Sequence, residues 1–280
     1  MSTTYTSSIK KVSGAHVSSA DDMLAVEEPL EIRLDYTAAL GRVTSNLSIT
    51  MRTPGNDTEL ATGFLFTEGI IREPGDISSI QSLGNSVVVE LRDNFHFDMH
   101  KLERHFYTSS SCGVCGKSSI DSIRTLKQDI AADPGITVDQ QVIYSLPGLL
   151  RQQQEIFDST GGLHASALFD PEGTFIMLRE DVGRHNALDK LIGAALEKNM
   201  IPLGGYVLLL SGRASFELVQ KAAMAGIRII AAVGAPSSLA VQLAQEFDIT
   251  LIGFLRNERF NIYCGENRLG LHFGNEVWLR

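Results

Sequence analysis

The sequence predicts an α/β protein, with a largely parallel sheet in its C-terminal domain and a smaller α+β domain before it. Three observations lead there. The C-terminal half alternates apolar runs of strand length with amphipathic stretches of helix length. The N-terminal third mixes alternating strands with one capped helix. Between them lies a twelve-residue polar stretch, Thr108 to Ser119, whose one aliphatic residue is Val114. The expected boundaries are a tail over 1–20, an N-terminal domain over 21–107 and a C-terminal domain over 108–280 that opens with the polar stretch. A chain of 280 residues, 44% hydrophobic and 20% charged, has an ordinary globular composition and enough apolar surface to fold without cross-links.

Taken in order, the elements have local causes. Residues up to about Ala20 are rich in Ser and Thr and read as disordered. Leu30 to Tyr36 alternates apolar and polar side chains, as a half-buried strand does. Val43 to Thr53 reads as a second strand, ended by Pro54-Gly55-Asn56-Asp57. Asp57 or Thr58 caps a helix carrying Leu60, Ala61, Phe64 and Leu65, and Gly69 closes it. Ser86 to Leu91 is a further strand. Thr108 to Ser119 has nothing to anchor it in a core and is expected to be a mobile surface loop, with a helix carrying Ile120, Ile123 and Leu126 after it. Tyr206–Ser211, Ile227–Val233 and Thr250–Phe254 are strands. Between them, Ala214–Ala225 is a helix stopped by Gly226, and Ser237 or Ser238 caps a helix to about Phe247. Strand-helix-strand-helix-strand with short connections means parallel strands and right-handed crossovers.

Charge and hydropathy exclude several classes. A formal charge of −9 argues against a nucleic-acid scaffold, which needs a basic face. No apolar run reaches the roughly 20 residues that span a bilayer, and the N-terminus lacks the apolar core of a signal peptide, so a cytoplasmic protein is expected. Three cysteines, Cys112, Cys115 and Cys264, make no disulfide framework.

In an open α/β sheet, ligands bind beyond the carboxyl ends of the strands. Those ends here are Ser211-Gly212-Arg213, Gly234 to Ser238, and Leu255-Arg256-Asn257-Glu258-Arg259. The first two lead into helix N-termini, which favour anions, and the third carries two guanidinium groups. Any one loop alone reads better as a turn with its cap, its arginines solvated. Three together suit a phosphorylated ligand of nucleotide size, with Arg213 and Ser215 as phosphate contacts. No GxGxxG or GxxxxGKS run occurs, so neither a dinucleotide fingerprint nor a P-loop is expected.

Cys112-Gly-Val-Cys115 allows three chemistries. Zinc needs further ligands; His164 and His185 are the candidates and show no ligand-pair spacing. The zinc-deaminase pattern is also broken, because Ser111 stands where it has Pro and no His-x-Glu precedes the pair. Thiol–disulfide exchange normally sits at a strand-to-helix junction, which this polar loop is not. Sulfur carriage needs a nucleophilic thiol on a pliable arm, which Gly113 and Gly116 supply. A helix N-terminus contributes roughly 0.3–1 kcal/mol, less than one pKa unit, so Lys117 or a partner's cations would have to complete the activation of the thiol. Asp181, His185 and Asp189 are spaced i, i+4, i+8 on a helix expected from near Val182, as a proton relay or as a structural charge ladder capped by Asp181. His164 reads as a structural residue, and Cys264 as a small core residue at a strand end.

Five segments in order, Ser111-Cys112-Gly-Val-Cys115-Gly116, Thr160-Gly-Gly-Leu-His164-Ala165, Arg179 to Lys190, Ser211 to Lys221 and Gly253 to Arg259, resemble the FdhD family of formate dehydrogenase accessory sulfur carriers. The resemblance runs from about Glu27 to Tyr263. It implies a cytidine-deaminase-like fold in the C-terminal domain without a metal, and a homodimer. It implies a sulfurtransferase that takes sulfur from a cysteine desulfurase as a cysteine persulfide. The sulfur then passes to the molybdenum of a bis(molybdopterin guanine dinucleotide) cofactor, bound as substrate, before that cofactor enters formate dehydrogenase. Cys112 matches the persulfide cysteine and Cys115 its companion. Phe254, Leu255, Arg256, Asn257, Glu258 and Arg259 match the cofactor-binding segment. Glu258 departs from what an anionic ligand prefers, since it sets a carboxylate between two arginines. The alternative is a non-catalytic chaperone that binds the cofactor and escorts it, with no role for the thiols in chemistry. No nucleic acid and no membrane is expected as a partner.

Overall fold

A computed structural model describes residues 2–38, 41–93, 95 and 135–272. Cys112, Cys115, the polar stretch 108–119 and the helix expected after it lie outside the described residues. The chain forms two compact units. The first holds the described residues up to 95 with 154–166 and 179–201, and the second holds 135–153, 167–178 and 202–272.

The first unit opens with a hairpin of β1 (Thr4–Ser13) and β2 (His16–Ala25), paired antiparallel from Thr4↔Ala25 to Ser13↔His16. This corrects the disordered tail expected over 1–20. A two-residue turn, Gly14-Ala15, closes the hairpin with Gly14 at φ 59, and glycine is favoured in that first central position. Its strands are polar because they bury almost nothing, not because they lack structure. A four-stranded sheet follows, in the order β4-β3-β6-β5, from β3 (Glu28–Ala38), β4 (Gly41–Arg52), β5 (Ile77–Leu83) and β6 (Ser86–Leu91). Its inner face buries Leu30, Ile32, Leu34, Val87, Val89 and Leu91. Helix α1 (Asp57–Thr67) forms where the sequence places it and buries Leu60, Ala61, Leu65 and Phe66. Its N-cap is Asn56, in the left-handed region, rather than Asp57 or Thr58, and the Asp57 carboxylate instead pairs with the buried Arg52 at 2.9 Å.

In the second unit, α2 (Gln140–Gln153) follows β7 (Val138–Asp139) and keeps Pro147 inside the helix. The short helix α3 (Glu155–Thr160) belongs to the first unit. A six-stranded sheet has the order β13-β12-β11-β10-β8-β9, from β8 (His164–Phe169, its residues 164–166 counted in the first unit), β9 (Phe175–Asp181, its residues 179–181 counted in the first unit), β10 (Val207–Leu210), β11 (Ile229–Ala232), β12 (Thr250–Arg256) and β13 (Arg259–Cys264). Strands β10, β11 and β12 pair in parallel, as their unbroken apolar runs Val-Leu-Leu-Leu and Ile-Ile-Ala-Ala predict. Helices α5 (Phe216–Met224) and α6 (Ser238–Glu246) make the crossovers and turn Leu218, Val219 and Ala222, and Ala240, Leu243 and Ala244, inward. Strand β14 (Leu269–Gly270) pairs with β7 in parallel. The α/β class with parallel strands is therefore as expected.

Helix α4 (Arg184–Glu197) lies in the first unit, whereas the sequence placed it in a C-terminal domain starting at residue 108. The cause is its partner. Gly193 of α4 lies against the Glu59 carbonyl of α1, and Gly63 of α1 against the Asp189 carbonyl of α4, so the two backbones touch where no side chain intervenes.

Candidate functional site

The three loops at the carboxyl ends of β10, β11 and β12 are joined by main-chain hydrogen bonds. Gly234 N–H donates to the Gly212 carbonyl at 2.9 Å, and Phe254 N–H donates to the Gly234 carbonyl at 3.1 Å. Ala214 N–H reaches the Ala235 carbonyl at 3.2 Å, and Ser237 N–H returns to the Ala214 carbonyl at 3.0 Å. The glycines are required by crowding. A Cβ on Gly234 would stand 3.0 Å from the Arg213 main chain, and one on Gly253 would stand 2.8 Å from Pro236 and 3.0 Å from the Tyr263 ring. The sequence-predicted Arg213, Ser215, Gly234 and Phe254 thus share one edge. Ser237 caps α6 by accepting from Ala240 N–H at 3.2 Å, while Ser215, at the matching place on α5, makes no such bond to its helix.

Phe254 to Arg259 holds three of the six described non-glycine residues with positive φ. Phe254, Asn257 and Glu258 all have positive φ, at 55°, 51° and 53°. For a bulky residue such as Phe254 that is an outlier. The register explains it: β12 pairs Gly253 with Asn261 and Arg256 with Arg259, so β12 carries one extra residue. This β-bulge turns the Phe254 ring outward, 38% exposed, while Leu255 goes into the core. Asn257 and Glu258 then form a two-residue turn with both φ values positive, the type I′ geometry of tight hairpins. Arg256 and Arg259 flank it as directly opposed cross-strand neighbours, both exposed. Like charges facing each other are unfavourable. Bulge, left-handed turn and paired arginines together are locally costly features concentrated where a ligand is expected, and such strain persists where the surrounding fold enforces it. Glu258 sits exposed in the turn.

The Asp181–His185–Asp189 series does not lie on one helix, because Asp181 is the last residue of β9 and α4 starts at Arg184 with Gly183 as its N-cap. Its members turn to different groups. Asp181, fully buried, pairs with the buried Lys190 ammonium at 2.7 Å and accepts from Thr53 N–H at 3.1 Å. Asp189 accepts from the Thr67 hydroxyl at 2.8 Å. These contacts support the structural ladder over the relay. The sequence reading missed Lys190 and Thr53, which only the tertiary fold brings to Asp181. Cys264 is half-buried, donates to the Ile249 carbonyl at 3.2 Å, and has its thiol pKa raised first by burial, as suits a structural residue. Among the described residues, no group of three or more His, Cys, Asp or Glu side chains is arranged to hold a metal, and no helix is long and apolar enough to cross a membrane.

Parallel strands whose ends carry close-packed glycines, an aromatic at positive φ and exposed arginines define an α/β protein with these three loops gathered at one sheet edge. The model of the FdhD/NarQ family matches residues 25–270, and the chain belongs to that family. It is 49% identical over 266 residues to the sulfur carrier protein FdhD of Streptomyces avermitilis, covering 91% of this chain and 92% of that one. It is 50% identical over 260 residues to that of Mycolicibacterium paratuberculosis (89% and 92% covered), and 42% identical over 248 residues to that of Saccharolobus solfataricus (89% and 91% covered). The fold is similar to the crystal structure of a putative formate dehydrogenase accessory protein from Desulfotalea psychrophila, with a TM-score of 0.73 at 23% identity, over 96% of this chain and all of that one.

Proposed function

We propose that this protein is a cytoplasmic sulfur carrier serving formate dehydrogenase. Cys112 thiolate attacks the terminal sulfur of a cysteine desulfurase persulfide. The donor's S–S bond breaks, its own thiolate leaves, and a new S–S bond forms on Cys112. Cys115 thiolate then attacks the Cys112 sulfur. The two thiols are oxidised to a disulfide, and the terminal sulfur, reduced to sulfide, leaves for the molybdenum of a bis(molybdopterin guanine dinucleotide) bound as substrate. Its guanine nucleotide end docks on the strand-end surface, with Arg213, Ser215, Arg256 and Arg259 meeting phosphate and Phe254 offering an aromatic face. The protein acts as a homodimer.

The observation that supports this best is that the segment the family resemblance assigns to cofactor, Phe254 to Arg259, is one of three strand ends bonded into a single edge. Mass spectrometry after incubation with a cysteine desulfurase and cysteine tests it. The wild type is expected to gain one sulfur on Cys112, and C112A none; a wild type that never gains sulfur overturns the carrier mechanism. Restoration of formate dehydrogenase activity by C112A in cells would instead favour the escort that binds cofactor without handling sulfur.

A further inference from the structure

Helix α4 begins against the usual charge rule. Acidic side chains favour a helix N-terminus, yet the first turn of α4 has none and opens with Arg184 and His185. A third basic side chain joins them. His164 starts β8 and Asp181 ends β9, strands that neighbour each other and are connected through the turn in which Asp170 N–H donates to the Thr174 carbonyl at 3.0 Å. The two residues therefore lie at the same end of that hairpin. His164 is half-buried. Its imidazole is held below its usual pKa first by burial, then by the positive charges of Arg184 and His185, against the pull of Asp181.

Asp181 does not neutralise this corner, because its oxygens are already taken. Oδ1 accepts from Gly183 N–H at 2.8 Å and Asn186 Nδ2 at 3.1 Å. Oδ2 accepts from Thr53 N–H at 3.1 Å and pairs with Lys190 Nζ at 2.7 Å, so one buried cation already matches its charge. Nε of Arg184, in contrast, is shut off from solvent and has no hydrogen-bond partner among the described residues. A buried guanidinium N–H without an acceptor is costly, and in a native structure an ion is one of the few ways to meet it.

We propose that His164, Arg184 and His185 hold an oxyanion of the phosphate class at the start of α4. The guanidinium offers a planar fork of donors, and protonated His164 offers another. The first N–H groups of the helix have no partners within it and favour negative charge. Donors of three kinds suit an acceptor with several oxygens better than a single-atom anion. The site shares no residue with the strand-end loops of the second unit, so it stands or falls separately from nucleotide docking there.

Inorganic phosphate titrated into the full chain at constant ionic strength, with the ring C–H signals of the seven histidines followed by proton NMR, tests the proposal. H164Q identifies the His164 signal. That signal is expected to shift saturably, and its pKa to rise with phosphate bound, since a neighbouring anion favours the imidazolium. R184M should weaken phosphate roughly tenfold or more, the scale of a charge-assisted bidentate contact, R184K less so, and R256Q/R259Q not at all. The proposal is overturned if chloride at equal ionic strength moves the signal as far as phosphate does. It is equally overturned if R184M keeps wild-type affinity, or if R256Q/R259Q rather than R184M removes the shift. Should R184M fail to fold, judged by loss of methyl-signal dispersion, R184K decides, and wild-type affinity in R184K overturns the proposal.

Discussion

At the strand-end surface one bulky side chain, Phe254, is held in the left-handed region with its ring exposed. Phe254 stays at φ 55 because β12 carries one more residue than β13 there, and the next residue, Leu255, is anchored in the core. A non-glycine residue in that region costs about 1–2 kcal/mol. Glycine relieves the strain but adds roughly 0.5–1 kcal/mol of chain entropy to be lost on folding. F254G is therefore expected to be at least as stable as F254A, which keeps the strain and loses the same ring. Both are expected to bind guanosine diphosphate more weakly than the wild type, by the roughly 1–3 kcal/mol that stacking a base on an aromatic ring contributes. Urea denaturation and a nucleotide titration read the two quantities separately; an F254G less stable than F254A would remove the claim that strain is stored at this position. The sequence makes this segment legible as an arginine-bearing strand end, but not as a bulge. Nothing in Gly-Phe-Leu-Arg-Asn-Glu-Arg favours positive φ at a phenylalanine or at a glutamate, and the conformation comes from pairing with β13.

At the scale of elements, the contact between α1 and α4 is set by two absent side chains. Each glycine lies on the other helix's backbone, Gly63 on the Asp189 carbonyl and Gly193 on the Glu59 carbonyl, so a methyl group at either place would overlap main-chain atoms that no rotamer change can move. The pair is held from outside as well, because Glu59 of α1 forms a two-point ion pair with Arg179 of β9 at 2.5 and 2.6 Å, and Thr67 of α1 donates to Asp189 of α4. Overpacking typically costs about 1–3 kcal/mol, and these positions should lie at the upper end. G63A and G193A are each expected to lower the unfolding free energy by about 3 kcal/mol in urea denaturation. The double variant should lose clearly less than the two together, since helices already parted by one methyl make room for the second. Strict additivity would mean that the two glycines do not share one interface. Periodicity predicts that α1 and the α5 and α6 crossovers exist, because their apolar spacing is local, although of the caps only Ser237 of α6 makes the side-chain bond to its helix. It places the start of α4 two residues early, at Val182, because the acid spacing at 181, 185 and 189 imitates a helical face although Asp181 ends a strand. It also passes over α2, whose Pro147 and Gly148 look like a turn until the fold holds them.

Across the whole molecule, order and buried surface are separate properties, and the N-terminal hairpin shows the difference. Ten residue pairs join β1 to β2, from Thr4↔Ala25 to Ser13↔His16, yet Tyr5, Val12, Val17, Met23 and Leu24 remain exposed and no residue of either strand enters the buried core. Ser/Thr-rich composition therefore predicts low burial correctly and disorder wrongly: cross-strand bonds such as Ser8 Oγ to Asp21 at 2.8 Å and Lys10 Nζ to Ser19 at 2.7 Å need no core. The family match begins at residue 25, where the hairpin ends. Stability scales with apolar area removed from water, at about 25 cal/mol per Å². A segment that buries so little should contribute less than about 1 kcal/mol, or under about 4 °C in the transition midpoint for a chain of this size. Removal of residues 2–25, tested by differential scanning calorimetry, is expected to leave a cooperative transition within that shift, with guanosine diphosphate binding unchanged because none of the strand-end residues lies in the hairpin. The main-chain bond from Val26 N–H to the Thr3 carbonyl, 3.0 Å, the approach of Ala25 to Gly162 and the packing of β2 beside α3 are among the contacts that removal would sever. A midpoint lower by far more than 4 °C would show that such contacts, rather than apolar burial, tie the hairpin into the first unit.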